Sequence, residues 1–193
     1  MGFLCHLEYF QGDKGSNMEL EFLYYGTDII SAKKIVDTGF IDVQCGNSSA
    51  DFGPGFYTTN SYKQAEQWAQ HKAKVRSSKP AVVKLLFDKA SAEPFIERFQ
   101  DDLRWGRFIV NNRNGLDYVN KVSFQEHNLD HRYQITIGRI ADVSVLKVVN
   151  DLRKKGIMLN SLTGILNPDF SLQIVFHTQF AVGFIKAISY ECV

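Results

Sequence analysis

Hydrophobic and polar residues alternate in several stretches of the chain, and this alternation is typical of half-buried β-strands. Glu21–Tyr25 alternates and is rich in strand-forming residues, and Arg132–Ile137 alternates up to a glycine. Three more strands and one extended segment are predicted from other apolar runs: Ala81–Phe87, Leu172–Phe176, Phe184–Tyr190 and, as the extended segment, Phe40–Val43. The chain is therefore expected to contain a β-sheet.

A helical period begins directly after the first predicted strand. Asp28 is suited to cap a helix whose apolar positions recur from Ile29 to Val36, and Gly39 is expected just past its end. A second helix is predicted to be capped by Ser61, with Gln64 completing a capping box, and to end near Val75. The face of this second helix that carries its apolar positions comprises Ala65, Trp68, Ala69 and Lys72.

Three later segments carry helical patterns: Pro94–Asn112, Asp142–Lys155 and Leu159–Leu166. No internal repeat, low-complexity tract or linker divides the chain, and 193 residues suit one domain of ordinary size. The prediction is a single α+β domain over residues 18–193.

Residues 1–17 are treated apart from this domain. Leu7–Gly12 looks like a degraded tag-cleavage sequence, and the first residues lack the basic and apolar segments of a secretory signal. We expect a tag-derived or flexible arm with the natural start near Met18; an arm native to the protein is the alternative.

The charge balance and the cysteine count narrow the classes of function. With 22 basic and 21 acidic residues, the net charge of +1 gives no general argument for binding nucleic acid or an anionic membrane. Three scattered cysteines are too few for a disulfide framework or a zinc site, which favours a reducing compartment. No apolar run approaches the roughly 20 residues of a membrane-spanning helix.

Neither a P-loop nor a Gly-x-Gly-x-x-Gly helix start occurs, which disfavours a Rossmann-type NAD site.

The stretch Asp51–Thr59 is the strongest local signal for a site. Pro54 stands between two glycines, so the backbone turns sharply and stiffly, and Phe56 and Tyr57 follow at once. In an extended chain these rings point to opposite faces, so one can enter the core while the other faces a cleft. Such a corner suits stacking against a flat ligand; a tight turn with a core aromatic residue is the alternative.

Three blocks of sequence together resemble the ADP-ribosyltransferase superfamily. They are Leu23–Thr27, Gly55–Thr59 and Gln173–Thr178, in the order found in the His-Tyr-Glu branch, which includes diphtheria toxin and the poly(ADP-ribose) polymerases. Over about Leu20–Phe184 the chain is similar to small, uncharacterised bacterial toxin-like domains of that clan. The resemblance implies an α+β fold with a split β-sheet core flanked by helices, NAD as the substrate and no metal.

The resemblance also implies roles for the matching residues. Tyr57 would stack on the nicotinamide ring with Trp68 as the opposite wall, and Gly26 would hold the carboxamide through its main chain. Tyr25 stands where the branch has a ribose-binding histidine, and Gln173 where it has a glutamate that favours the oxocarbenium-like transition state. The implied catalytic residues are Tyr25, Tyr57 and Gln173. The implied NAD-binding residues are Tyr25, Gly26, Thr27, Asp51, Gly53, Gly55, Phe56, Tyr57 and Trp68.

Tyr25 and Gln173 depart from the pattern of the branch. A phenol can donate to a ribose hydroxyl, so Tyr25 can replace histidine. Gln173 can accept from a hydroxyl but carries no charge, a loss on the order of several kcal/mol of transition-state stabilisation. Activity would then rely on a nearby acid or be modest; the acids considered are Glu126, Asp130 and Asp142.

Several of these residues also have purely structural interpretations. Trp68 on an apolar helix face could belong to the core, and Gln173 within a strand could satisfy a buried backbone group. His177, at the end of an apolar strand, fits a structural role better than that of a ligand or base. Arg113 fits a helix C-terminus and loop, or a contact with a pyrophosphate.

The resemblance implies a mono-ADP-ribosyltransferase that releases nicotinamide and passes ADP-ribose to a protein or nucleic acid. It would be the toxin of a bacterial toxin–antitoxin or phage-defence system, located in the cytoplasm, with an antitoxin protein as partner and no membrane association. Within the enzymes, the alternative is an NAD glycohydrolase, with water as acceptor. The other alternative is a catalytically weak module that binds NAD, ADP-ribose or a partner.

Overall fold

A seven-stranded mixed sheet forms the centre of the computed structural model, which describes residues 20–45, 49–100, 102–141 and 171–193. The strands are β1 Leu20–Asp28, β2 Phe56–Thr59, β3 Pro80–Asp88, β4 Ile96–Phe99, β5 Ile135–Arg139, β6 Leu172–Phe176 and β7 Ile185–Cys192. Their order in the sheet is β4-β5-β6-β2-β1-β3-β7. The pair β4–β5 is parallel, and all other neighbours are antiparallel.

Helices flank this sheet: α1 Ile29–Thr38, α2 Tyr62–Val75, α3 Lys89–Ala92, α4 Asp102–Asn114, α5 Leu116–Val119 and α6 Gln179–Val182. Short 3-10 helices occur at Val43–Cys45 and Glu93–Phe95. None of the helices in the described part of the chain has the length and apolarity needed to cross a membrane. The predicted single α+β domain is confirmed.

Short-range signals set the ends of the first two helices. The Asp28 side chain accepts from two N–H groups in the first turn of α1, and Gly39 takes a φ of 68° at its end. Ser61 accepts from the N–H of Gln64 at the start of α2, as predicted. In a capping box the Gln64 side chain would accept from the N–H of Ser61. Here the Thr59 hydroxyl accepts from that N–H instead, at 3.1 Å.

Alternating residues of the strands place α1 and α2 on opposite faces of the sheet. Val83 of β3 belongs to the main core together with Ala32 of α1, whereas its neighbour Val82 packs with Ala65 and Ala69 of α2. An aromatic cluster packs on the face away from the main core, around Phe52, Phe99, Trp105, Phe108 and Val175.

The sheet is nearly divided between β1 and β2. β1 pairs with β3 along all nine of its residues and β2 pairs with β6 along all four, but β1 and β2 share the single pair Tyr24–Thr59. If that register continued, Gly26 would pair with Tyr57, yet the strands are not paired there. This division is compatible with the split sheet expected from the sequence.

The helix predicted at Pro94–Asn112 is wrong in its first half and confirmed from Asp102 onward. Ile96–Phe99 is a strand that pairs in parallel with β5, and the helix begins only at Asp102. The four-residue spacing of Phe95 and Phe99 imitates a helical face, but the strand is held by a partner far away in the sequence.

The extended segment predicted at Phe40–Val43 forms no strand, because Val43 begins a 3-10 helix. The helices predicted at Asp142–Lys155 and Leu159–Leu166 lie outside the described residues.

Candidate functional site

A cleft of about 530 Å³ opens at the junction of β1 and β2. Its walls come from β1, the turn before β2, β2 itself, α2 and β6. Most of the residues singled out in the sequence line it: Tyr25, Gly26, Asp51, Gly55, Phe56, Tyr57, Trp68 and Gln173. Thr27 and Gly53 do not line the cleft, because Thr27 is completely buried and Gly53 lies buried within the turn.

The hydroxyl group of Tyr57 holds the turn that precedes β2. It donates to the Gly53 carbonyl at 2.6 Å and accepts from the N–H of Phe52 at 3.0 Å. Burial raises the pKa of this phenol far above its usual range, so the hydroxyl stays protonated. The hydroxyl is thus committed to the turn, while the half-buried ring contributes a flat surface to the cleft.

Gly53 and Asp51 fix the same turn in two other ways. Gly53 has a φ of +84°, and a β-carbon there would also press against Asn112 and Asn128 at 3.1 Å. Asp51 forms an ion pair with Arg113 at the wall of the cleft. Burial raises the pKa of the Asp51 carboxyl, and the positive charge of Arg113 opposes that rise.

Gly55 lets the turn lie directly against the end of β6. A β-carbon on Gly55 would stand 2.8 Å from a methyl group of Val175 and 2.9 Å from the Phe176 carbonyl. Beside this contact, Nδ1 of the buried His177 donates to the Pro54 carbonyl at 2.6 Å. His177 therefore acts as a structural residue of the turn, in agreement with the interpretation favoured from the sequence.

Tyr25 and Phe56 join β1 to β2 at one wall of the cleft. Their ring centroids are 4.3 Å apart, with Phe56 buried in the main core and Tyr25 packed against it. The ammonium group of Lys72 lies 4.1 Å from the centroid of the Tyr25 ring. The predicted alternation is confirmed, since Phe56 enters the core and Tyr57 belongs to the cluster on the other face.

Gly26 is the point at which α2 approaches β1. A β-carbon there would lie 1.9 Å from the Ala65 carbonyl oxygen and 2.7 Å from the Ala69 nitrogen. The close packing of α2 on β1 thus requires glycine at position 26. This reason for the glycine was not predicted from the sequence. The Gly26 carbonyl faces Lys72, whose Nζ donates to it at 2.9 Å.

Trp68 and Lys72 on one face of α2 and Arg76, directly after its end, line the cleft at intervals of four residues. Trp68 is 49% exposed, which excludes the interpretation that it is a core residue. Arg76 bonds to the carboxylate of Asp28 at 2.5 Å. Lys72 was predicted on this face, whereas Arg76 was not, although its spacing from Trp68 contained the signal.

Gln173 lies on β6 with 7% of its surface exposed, and it lines the cleft. Its Nε2 atom is buried and finds no hydrogen-bond partner within the described residues, and the same is true of the Thr27 hydroxyl. Gln173 therefore does not satisfy a buried backbone group of the described residues through its amide nitrogen. An unpaired buried donor is unfavourable, so a ligand that accepts from it would gain affinity.

Two of the acids considered as substitutes for a catalytic glutamate, Glu126 and Asp130, are not in the cleft lining. Glu126 binds Arg104 and the Tyr133 hydroxyl, and these partners outweigh burial and lower its pKa. Asp130 forms an ion pair with Arg132 at 2.9 Å. Asp142 lies outside the described residues.

The cleft combines five aromatic rings, three cationic side chains and one buried amide. The cations are Lys72, Arg76 and Arg113, and the acids beside them are Asp42 and Asp51. Flat rings and cations together suit a planar ligand that carries phosphate. Among the described residues, no group of acids, histidines or cysteines could hold a metal ion.

Comparison with curated proteins finds none that matches. Residues 23–187 match a family described as "Protein of unknown function (DUF3990)". The matched range begins within β1 and ends within β7, so it includes every element that lines the cleft. The chain belongs to this family, DUF3990.

Proposed function

We propose that the protein is an NAD-dependent mono-ADP-ribosyltransferase that releases nicotinamide and transfers ADP-ribose to a protein or nucleic acid. One observation carries the proposal: Gly26 and Tyr57 would be register partners, but the division of the sheet leaves them unpaired on the walls of one cleft. They are the residues that the resemblance assigns to the carboxamide and to the nicotinamide ring.

The cleft offers separate contacts for the nicotinamide ring, its carboxamide and the two phosphates of the dinucleotide. Tyr57 and Trp68 supply aromatic surface for the nicotinamide ring, and an offset aromatic pair contributes about 0.5–1.5 kcal/mol beyond burial. The Gly26 main chain binds the carboxamide. The cations of the cleft provide positive charge for the two phosphates.

The reaction breaks the bond between ribose C1′ and the nicotinamide nitrogen, and the electron pair of that bond leaves with nicotinamide. A nucleophilic atom of the acceptor then bonds to C1′ and loses its proton. Tyr25 and Gln173 orient the riboses by hydrogen bonds to their hydroxyl groups. Because Gln173 carries no charge, we expect turnover to be slower than with a carboxylate at this position.

Two alternative functions use the same cleft. An NAD glycohydrolase would pass the sugar to water instead of a macromolecule. A binding module would retain NAD or ADP-ribose without turnover, and the neutral amide of Gln173 is the observation that favours it.

The proposed biological role follows the same resemblance. The protein would act in the bacterial cytoplasm as the toxin of a toxin–antitoxin or phage-defence system, held in check by an antitoxin protein. Expression without that partner is then expected to stop growth, and Tyr57→Ala is expected to restore it. Normal growth with the wild-type chain would count against a toxin.

The enzymatic proposal is tested by measuring nicotinamide release from NAD with and without cell lysate. Release that requires lysate, with labelled ADP-ribose appearing on a macromolecule, supports the transferase. Release without lysate identifies a glycohydrolase. No release, with NAD still raising the melting temperature, identifies a binding module.

Matched variants separate loss of the site from loss of the fold. Trp68→Ala removes a cleft wall that is 49% exposed, and Phe180→Ala removes an aromatic ring that is 56% exposed and lies outside the cleft. We expect the first variant to lose nicotinamide release and the second to retain it. Equal activity in both variants would contradict a stacking role for Trp68.

A further inference from the structure

Lys72 stands out among the cations of the cleft because of its partners. Arg76 is paired with Asp28 and Arg113 with Asp51. Among the described residues, Lys72 has no carboxylate partner; its Nζ donates to the Gly26 carbonyl at 2.9 Å and lies over the Tyr25 ring. Its charge is therefore offset by a neutral carbonyl and an aromatic face, both of which line the cleft.

The Gly26 carbonyl is also the acceptor that the proposed function assigns to the nicotinamide carboxamide. An amide N–H that approached this oxygen beside the ammonium group would bring two positively polarised donors together, which is unfavourable. The ammonium sits on a flexible stem of four carbons, so it can leave the carbonyl without movement of α2.

We propose that the Lys72 ammonium group binds the Gly26 carbonyl until a ligand displaces it, and that Lys72 determines the specificity of the cleft for phosphate-bearing ligands. A ligand that carries both an amide and a phosphate displaces the ammonium from the carbonyl and then pairs with it. Nicotinamide alone must displace the ammonium without offering a new partner, so it binds weakly. This inference rests on the proposed function, because that function places the carboxamide at Gly26.

The experiment measures the affinities for NAD, ADP-ribose and nicotinamide by calorimetry in the wild-type chain and in Lys72→Met. The methionine keeps most of the apolar stem and removes the charge. We expect the affinities for NAD and ADP-ribose to fall about tenfold to a hundredfold, the range of a charge-assisted hydrogen bond. Their dependence on salt should weaken at the same time. The affinity for nicotinamide should rise severalfold, because the carbonyl is free.

Two further variants serve as controls for Lys72→Met. Lys74→Met removes an exposed lysine of the same helix that does not line the cleft, and all three affinities should match those of the wild type. Lys72→Arg keeps the charge and should retain binding of ADP-ribose even if Lys72→Met lowers the melting temperature. Unchanged affinities in Lys72→Met, or loss of ADP-ribose binding in Lys72→Arg and Lys74→Met alike, would overturn the inference.

The results also separate this inference from the proposed function. If ADP-ribose binding depends on Lys72 but no nicotinamide is released under any condition, the specificity role stands and the transferase fails. If nicotinamide is released and Lys72→Met binds NAD as the wild type does, the transferase stands and the specificity role fails. If neither NAD nor ADP-ribose binds the wild-type chain, both are wrong.

Discussion

His177, directly after β6, is bonded to Pro54 in the turn before β2, with 2.6 Å between Nδ1 and the carbonyl oxygen. A carbonyl can only accept, so Nδ1 carries the proton, and the Thr136 hydroxyl lies 2.8 Å from the other ring nitrogen. With both nitrogens satisfied by neutral groups, the ring is held uncharged. Burial, the largest cause, lowers the pKa of His177 from 6.5 to about 4.

This histidine makes stability dependent on pH. Between pH 6.5 and about 4 the unfolded chain binds a proton at His177 that the folded chain does not, so stability rises with pH over this range. We expect acidification across it to cost about 3 kcal/mol of the free energy of unfolding. Urea unfolding at a series of pH values measures the slope.

The control for this slope is His177→Asn, whose amide can still donate to Pro54 but does not titrate. His127, whose pKa is also lowered by burial, remains in both chains and leaves a residual slope in the variant. Identical slopes in wild type and variant would show that His177 is not the titrating group.

Replacing Gly26 by alanine should displace α2 or unfold the domain. The added methyl would stand 1.9 Å from a backbone carbonyl oxygen that cannot turn away. We expect a loss of more than about 3 kcal/mol in thermal or urea unfolding. Gly39→Ala is the comparison: its φ is +68° but the space around it is open, so only about 1–2 kcal/mol should be lost. Similar losses in the two variants would contradict the close packing of α2 on β1.

Tyr57→Phe separates the two uses of the tyrosine. The variant loses both hydrogen bonds to the turn and leaves the Phe52 N–H without its partner, so we expect about 1–3 kcal/mol of destabilisation. The ring surface in the cleft remains, and under the proposed function NAD affinity should stay within a few-fold of wild type. Tyr57→Ala should abolish binding. NAD binding that depends on the hydroxyl would contradict stacking as the role of Tyr57.

Gln173→Glu should exchange stability for activity. A carboxylate at a site that is 7% exposed loses hydration, so the free energy of unfolding should fall by about 1–3 kcal/mol near neutral pH. The same charge would stabilise positive charge on the ribose, and nicotinamide release should rise at least tenfold. Gln173→Met tests the hydrogen bonds of the amide, since it keeps the approximate volume and should lose release. Equal nicotinamide release by the glutamate and methionine variants would contradict the proposed role of this position.

Signals that act over a few residues were readable in the sequence. The caps at Asp28 and Ser61 and the glycine end of α1 depend on bonds within one helical turn, so residue type and spacing were sufficient. The prediction for Ile96–Phe99 was wrong for the opposite reason. Its hydrogen bonds go to β5, almost forty residues later, and no local pattern records that partner.

Most of the site residues named from the sequence line the cleft, but the hydrogen bonds within it were not predictable. Resemblance gathered Gly26, Tyr57 and Gln173 into one site, and the structure brings them to one cleft. The contact between Lys72 and Gly26 spans 46 residues, and the contact between His177 and Pro54 spans 123. Such contacts arise from how α2 and β6 pack, which the periodicity of either segment does not specify.

The position of β2 in the sheet sets the order in which the chain can become functional during synthesis. β2 has β6 as its fully paired neighbour, yet β6 is made more than one hundred residues later. Until Leu172–Phe176 has left the ribosome, one edge of β2 is open and Gln173 is missing from the cleft. A cell that translates this chain therefore meets a complete site only after β6 has left the ribosome.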